Sequence, residues 1–102
     1  AWAEHWARLE RSAAALALPL PAGPERILAE IRRTVAAYRA ASGFAGELYV
    51  RLQVTRGAGP IGLATELADA PSFTLLVQPC PTLSTAQLEG GQRLSIARTL
   101  RR

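Results

Sequence analysis

Strict alternation of apolar and polar residues between Glu47 and Thr55 is the feature that most constrains how this chain folds. The apolar positions of this segment are Leu48, Val50, Leu52 and Val54. Because successive side chains of a β-strand point to opposite faces, a period of two predicts a strand with one face against a core and one toward solvent. The chain is therefore expected to contain a sheet that other elements cover.

The residues before this strand have helical periodicity and can supply that cover. Apolar residues recur at steps of three and four from Trp2 to Leu16, which predicts a first helix over about Ala3 to Leu18, ended by prolines. A second helix is predicted to begin near Pro24 and to end at Gly43. Proline suits the first helical position, and glycine accepts the left-handed conformation that follows the last turn.

Two more strands are predicted after the first one, at Phe73 to Gln78 and at roughly Arg93 to Leu100. The connections contain no long helical pattern, which favours antiparallel pairing. The sequence thus predicts an α+β domain in which two helices pack on a small, mainly antiparallel sheet. Three strands make a thin sheet, so one or two further strands outside these residues are expected to complete it.

Composition argues against nucleic-acid and membrane partners. The net charge is +4 and all 12 basic residues are arginine, but they are scattered, with no basic block and no interleaved aromatic residues. No apolar run approaches the roughly 18 to 20 residues that cross a bilayer. The single cysteine, Cys80, offers no disulfide framework and no metal-ligand pair, which is compatible with a cytoplasmic location. We expect no nucleic-acid partner, no membrane partner and no metal site.

Two motifs that resemble functional sites have simpler explanations. Gly57 to Gly62 spells the dinucleotide fingerprint GxGxxG after a strand, but Pro71 ends any helix within nine residues of it. No acidic residue stands where a ribose would be held, so a tight loop is favoured. His5, the only histidine, has no partner for a catalytic triad or a zinc site. We interpret it as a partly exposed helical residue.

Arg8 lies at the margin of the buried face of the first helix, about 120° from the centre of the apolar stripe. A guanidinium there can rest its stem on the core and present a fork of donors to an anion. The alternative is an ion pair with Glu4 one turn back, and the local pattern alone favours that ion pair.

Tyr49 and Arg51 share one face of the predicted strand, about 7 Å apart. A phenol and a guanidinium at this distance suit a ligand that bears a carboxylate, since arginine can bind it in bidentate fashion and tyrosine can orient it. An ordinary solvated strand face is the alternative, and the pattern alone favours it.

Three segments together resemble the class IV, or D-alanine-aminotransferase-like, enzymes that use pyridoxal 5'-phosphate. Glu4 to Leu9, with Ser12-Ala13, is similar to the helix motif that follows the first strands of that family. Tyr49 to Arg51, running into Thr55 to Gly57, is similar to the strand and loop after its second helix. Gly91 to Arg102 resembles the last strand of its small domain. The resemblance implies that residues 1–102 are part of the small N-terminal domain, with the large catalytic domain absent from this sequence.

The resemblance also implies roles for four residues. Arg8 matches the arginine that binds the cofactor's phosphate, which reverses the local preference for an ion pair. Tyr49 and Arg51 match residues that face the substrate pocket in the branched-chain branch of the family. Leu63 matches the tip of a loop that reaches the pocket of the neighbouring subunit, which implies a homodimer. No residue of this chain receives a catalytic role.

Two other branches of the family remain alternatives to different degrees. The D-amino-acid branch places a carboxylate-binding arginine where this chain has Ile61, which disfavours that branch. Aminodeoxychorismate lyase shares the Arg-Gly loop and a basic residue near Arg51, so it remains the nearest alternative.

The sequence contains no lysine. In the family a lysine forms a Schiff base with the cofactor, so this chain is expected to be inactive alone. We expect a segment of a longer aminotransferase that acts on a branched-chain-like amino acid and a 2-oxo acid. The lack of methionine and of a leader pattern fits such a segment. A lysine-free module that binds an anionic ligand or a partner without catalysis is the competing hypothesis.

Overall fold

The computed structural model describes residues 1–96, which form helices followed by a two-stranded sheet and a last short helix. In chain order the elements are α1 (Trp2–Ala15), α2 (Pro24–Ser42), β1 (Leu48–Thr55), a 3₁₀ turn (Thr65–Leu67), β2 (Ser72–Pro79) and α3 (Thr85–Gly90). The α+β class and the two main helices were predicted and are confirmed.

The sheet consists of β1 and β2 in antiparallel pairing over the described residues. The register runs from Leu48 opposite Pro79 to Thr55 opposite Ser72. Burial alternates along both strands, so that one face is half-buried and the other exposed. The pairing direction and the alternating face agree with the prediction, since a period of two fixes which side chains face the helices.

α1 ends earlier than predicted, at Ala15 instead of Leu18. The N–H of Leu18 donates to the carbonyl of Ala13 at 2.8 Å, and the N–H of Ala17 donates to that of Ala14 at 3.0 Å. These two bonds form a Schellman turn. Ala17 takes its left-handed position with φ 47°, which costs a residue with a Cβ about 1–2 kcal/mol. α1 therefore ends in a strained turn before the prolines are reached.

α2 ends as predicted, with Gly43 in the left-handed conformation at φ 66°. The Arg39 side chain then spans the loop into β1, where its guanidinium donates to the carbonyls of Phe44 at 3.0 Å and Gly46 at 3.1 Å. These bonds satisfy loop carbonyls that no strand or helix pairs, and they fix how β1 leaves α2.

The predicted third strand, Arg93 to Leu100, is not found in its described part. Residues 93–96 form no regular structure, and residues 97–100 lie outside the described residues. Leu94 and Ile96 are almost fully exposed, because no strand lies beside them in the described part of the chain.

α3 occupies part of the connection after β2 and is not predicted by the patterns above. Ser84 and Gln87 form a capping box: the Ser84 hydroxyl accepts from the Gln87 N–H at 3.2 Å, and the Gln87 side chain accepts from the Ser84 N–H at 2.9 Å. Serine followed by glutamine three residues later is the sequence signal that would have located this helix.

The core lies between the two long helices and the half-buried face of the sheet. Within residues 1–96, the buried apolar residues are Trp6, Ala13 and Ile27. Trp2 adds to this cluster, with its ring centroid 5.9 Å from that of Trp6. None of the helices in this part of the chain has an apolar stretch long enough to span a membrane.

Candidate functional site

A cleft of about 550 Å³ lies between α1, the first half of α2 and β1. Four consecutive residues of β1, from Tyr49 to Leu52, line it. Because alternate side chains of a strand point to opposite faces, a cleft that touches all four must run along the edge of the strand. The opposite edge of β1 pairs with β2, so the cleft lies at the edge that has no partner strand in the described residues.

The polar groups of the cleft come from two elements that are distant in sequence. α1 contributes His5, Arg8 and Ser12, which follow one another at steps of three or four and so share one side of the helix. β1 contributes Tyr49 and Arg51. None of the described residues that line this cleft carries a carboxylate, so its two guanidinium groups give it a positive potential that attracts anions.

The rest of the lining is apolar. Leu28 and Ile31 of α2 lie on one side of the cleft, and the apolar lining is completed by Trp2, Leu9, Val50 and Leu52. An apolar surround lowers the local dielectric and strengthens hydrogen bonds between the arginines and a bound anion. The cleft thus combines charged donors with room for an aliphatic group.

Arg8 is not paired with a carboxylate in the described part of the chain. Its Nη2 lies 3.2 Å from Nδ1 of His5, the next residue of the same helix face. The Glu4 carboxylate accepts from the amino group of Ala1 instead. The local prediction of an ion pair between Arg8 and Glu4 is therefore wrong. The guanidinium of Arg8 keeps donors for an anion.

Arg51 and Tyr49 also lack acidic neighbours across the sheet. Arg51 stands opposite Leu76 and Tyr49 opposite Gln78 in the register of the two strands. Tyr49 is 45% exposed and lines the cleft. In the described part of the chain, no cross-strand ion pair competes with an anionic ligand for the charge of Arg51.

Leu63 lies away from the cleft, on the loop that follows β1. Leu63 and Ile61 are fully exposed, at 105% and 107%. The structure therefore brings Arg8, Tyr49 and Arg51 together and leaves Leu63 outside this group. Two large apolar side chains exposed on one loop form a surface that a partner can cover.

The glycine-rich segment at the base of that loop is a tight turn, as the sequence predicts. A Cβ on Gly57 would overlap the carbonyl oxygen of Ala70, and a Cβ on Gly59 would overlap that of Leu67. Gly57 also has φ 98°, a conformation that side chains disfavour. These glycines allow two backbone segments to approach closely, and no helix begins at Gly62 as a dinucleotide site requires.

Arg56 has a structural connection that the sequence does not reveal. Its Nη1 donates to the carbonyl of Ala17 at 3.0 Å and its Nη2 to that of Leu16 at 2.5 Å. The two partners of the second bond are 40 residues apart in sequence. No local pattern could have indicated the contact.

Comparison with protein families identifies the chain. A family model described as amino-transferase class IV matches residues 1–102. The chain belongs to the class IV aminotransferases. Enzymes of this family depend on pyridoxal 5'-phosphate. No curated protein and no solved structure matches the chain significantly.

The side chains of the cleft fit one end of that cofactor. Two guanidinium groups and the hydroxyls of Ser12 and Tyr49 are donors that suit the phosphate and a substrate carboxylate. The other end of the cofactor needs a primary amine, and the sequence has no lysine to supply one. Residues 1–96 contain no group of side chains suited to a metal ion.

Proposed function

We propose that this chain is the phosphate- and substrate-recognising part of a class IV aminotransferase that moves an amino group between a branched-chain-like amino acid and a 2-oxo acid. The observation that carries this proposal is the meeting of Arg8 and Arg51 in one cleft of a chain that belongs to this family. When bound, pyridoxal 5'-phosphate supplies the electron sink for the transfer. A lysine outside these 102 residues would provide the amine that holds it.

Arg8 is the residue we assign to the cofactor's phosphate. It lies on a long helix, its guanidinium has no carboxylate partner within residues 1–96, and His5 contacts it from the preceding turn. This contact restricts the rotamers of Arg8, so less side-chain entropy is lost when the guanidinium binds an anion. A planar guanidinium can bind two phosphate oxygens at once.

Tyr49 and Arg51 are assigned to the substrate. Both stand on the cleft-lining part of β1 and neither has an acidic partner in β2. Arg51 would bind a substrate carboxylate and Tyr49 would orient it through its hydroxyl. Leu28 and Ile31 give the cleft an apolar side, which supports an aliphatic substrate side chain more than the polar ring of an aminodeoxychorismate lyase substrate.

We further propose that residues 1–102 are an incomplete small domain that packs against a separate catalytic domain. The chain exposes 8727 Å², whereas a compact monomer of this length exposes about 5600 Å². The two strands of the described residues offer the helices only a narrow apolar face, and one edge of β1 is open in these residues. Sequence past Arg102 tests this: a reading frame that continues to a lysine supports the proposal, and a stop codon supports the non-catalytic binding module.

Assembly and location follow from the same proposal. The exposed Leu63 and Ile61 would be covered by a second subunit, so that Leu63 borders the partner's substrate pocket in a homodimer. The single cysteine, Cys80, is unpaired, which supports a cytoplasmic enzyme.

The phosphate role of Arg8 is tested by cofactor binding to the full-length protein. Pyridoxal carries the same aldehyde as pyridoxal 5'-phosphate but lacks the phosphate. The dissociation constant of pyridoxal divided by that of pyridoxal 5'-phosphate therefore isolates phosphate recognition. We call this ratio the phosphate selectivity. Arg8→Gln is expected to lower it by about 10- to 100-fold, the equivalent of one or two charge-assisted hydrogen bonds.

The matched control for this measurement is Arg11→Gln. Arg11 stands on the same helix and loses the same charge, but it does not line the cleft. Equal losses of phosphate selectivity in both variants would show that net charge alone is responsible, and Arg8 would lose its assigned role. Absence of any Schiff-base absorption in the full-length protein with added cofactor would reject the whole proposal.

The substrate role of Arg51 is tested by comparing substrates. In the full-length enzyme, Arg51→Ala is expected to lower kcat/KM for dicarboxylic amino acids more than for apolar ones, because a second carboxylate depends more on a nearby cation. Gln53→Ala is the control, since Gln53 shares the same strand face but does not line the cleft. An unchanged kcat/KM with both kinds of substrate would remove Arg51 from the substrate role, and equal losses with both would limit that role to the carboxylate that the substrates share.

A further inference from the structure

Arg56 ties the helix that carries Arg8 to the strand that carries Arg51. It follows β1 directly, and its guanidinium donates to the carbonyls of Leu16 and Ala17 at the C-terminal turn of α1. Within residues 1–96, no other side-chain hydrogen bond and no ion pair joins α1 or this turn to another element. Arg56 therefore makes the polar connection between the two sides of the cleft in the described structure.

Arg56 stabilises the C-terminal turn of α1 in two ways. Its Schellman bonds leave the carbonyls of Leu16 and Ala17 without backbone donors, and the fork of Arg56 satisfies both. A cation at this position also interacts favourably with the negative end of the helix dipole. The α1 sequence places no basic residue in its own last turn, so Arg56 supplies this charge from another element.

If this turn moved, the rigid helix α1 would move the side chains that it places in the cleft. Arg8 is seven residues before Ala15, about 10 Å along the helix axis. Burial of Trp6 and Ala13 also restrains α1, so release of its end is expected to allow a small tilt only. Such a tilt would change the separation between Arg8 and β1.

We propose that Arg56 is a positioning residue for phosphate binding. By holding the end of α1 against the end of β1, it sets the separation of the two cleft arginines, Arg8 and Arg51, and so tunes the affinity for the cofactor's phosphate. Arg56 does not line the cleft itself, so it acts through Arg8. The inference rests on the proposed function, in which Arg8 binds the phosphate.

The test measures phosphate selectivity in the full-length apoprotein by fluorescence titration with pyridoxal 5'-phosphate and with pyridoxal. Arg56→Gln is expected to lower the selectivity by about 3- to 10-fold, less than Arg8→Gln does, since a misplaced donor keeps part of its hydrogen-bond strength. Arg56→Lys retains the charge but not the two-pronged geometry, so its selectivity is expected to lie between those of Arg56→Gln and the unchanged protein.

Arg39→Gln is the matched control. Arg39 also donates its guanidinium to two backbone carbonyls, but it does so between α2 and β1, away from α1. It is expected to leave phosphate selectivity unchanged, because general loss of stability weakens binding of both ligands alike. Hydrogen exchange over residues 13–18 is expected to speed up in Arg56→Gln and not in Arg39→Gln.

A double variant separates positioning from an independent effect. If Arg56 acts through Arg8, adding Arg56→Gln to Arg8→Gln lowers phosphate selectivity no further. Unchanged selectivity in Arg56→Gln with a clear loss in Arg8→Gln would overturn this inference and leave the proposed function standing. Equal losses in Arg56→Gln and Arg39→Gln, or additive losses in the double variant, would also overturn it. Unchanged selectivity in Arg8→Gln would instead refute the phosphate role of Arg8, and this inference would fall with it.

Discussion

Four glycines of this chain allow the cost of a left-handed backbone to be separated from the cost of a steric overlap. Gly90 has neither constraint, because it has no positive φ and a Cβ added there would meet open space. Gly43 has φ 66° but open space around it. Gly59 has no positive φ, but a Cβ added there would overlap the Leu67 carbonyl. Gly57 combines φ 98° with an overlap between an added Cβ and the Ala70 carbonyl.

The expected changes in unfolding free energy for substitution by alanine follow from these two terms. Gly90→Ala is expected to be neutral or slightly stabilising, because alanine loses less backbone entropy on folding. Gly43→Ala is expected to cost about 1 kcal/mol from left-handed strain, after that entropy gain. Gly59→Ala is expected to cost about 2–3 kcal/mol, since a backbone carbonyl cannot move as a side chain can. Gly57→Ala carries both terms and is expected to cost about 3–4 kcal/mol.

Hydrogen exchange of the β1 amides in the full-length protein measures these costs. The slowest amides of Leu48–Thr55 report opening of the domain, and each 1.4 kcal/mol corresponds to about a tenfold faster exchange. Gly43→Ala is then expected to accelerate exchange about fivefold, and Gly57→Ala by more than about a hundredfold. If Gly57→Ala accelerated exchange no more than Gly43→Ala, the close approach of the loop to Ala70 would not constrain the fold, and the reasoning would be refuted.

Three further outcomes are expected elsewhere in the chain. Ser84→Ala removes the capping hydroxyl of α3 and is expected to destabilise that helix by about 1 kcal/mol. Faster hydrogen exchange of the α3 amides is the expected result, and an unchanged exchange rate would contradict the role of Ser84 as a cap. Leu63→Ala is expected to leave thermal stability unchanged, since the side chain is fully exposed, but to raise the dimer dissociation constant measured by sedimentation, and an unchanged constant would remove Leu63 from the interface. Expressed alone, residues 1–102 are expected to show little protection from exchange, because few of their side chains are buried, and strong protection would contradict the incomplete-domain proposal.

Local patterns were sufficient for the elements that line the cleft. The alternation from Leu48 to Val54 placed β1 to within one residue, because a period of two is a property of the strand alone. Pro24 and Gly43 marked both ends of α2 for equally local reasons, a fixed φ at one end and a left-handed φ at the other. The end of α1 was predicted less well, since Ala17 takes a conformation for which alanine has no preference.

The candidate site was only partly accessible from sequence. The pattern showed that Tyr49 and Arg51 share a strand face, but it favoured an ion pair for Arg8 that the structure does not contain. The resemblance to the family reversed this preference by assigning Arg8 to the cofactor's phosphate, and that assignment stays a prediction. It did not indicate the contact between His5 and Arg8, because that contact depends on the geometry of two side chains on one helix face.

The sequence by itself determined the two long helices, the paired strands β1 and β2 and the family, because these follow from short-range periodicity, capping residues and motif order. Only the tertiary structure decided that Arg8 and Arg51 line one cleft and that Arg56 holds the end of α1. Those relations join residues about 40 positions apart, and they depend on how rigid elements pack. Periodicity fixes which face each side chain occupies, but only packing fixes which faces meet.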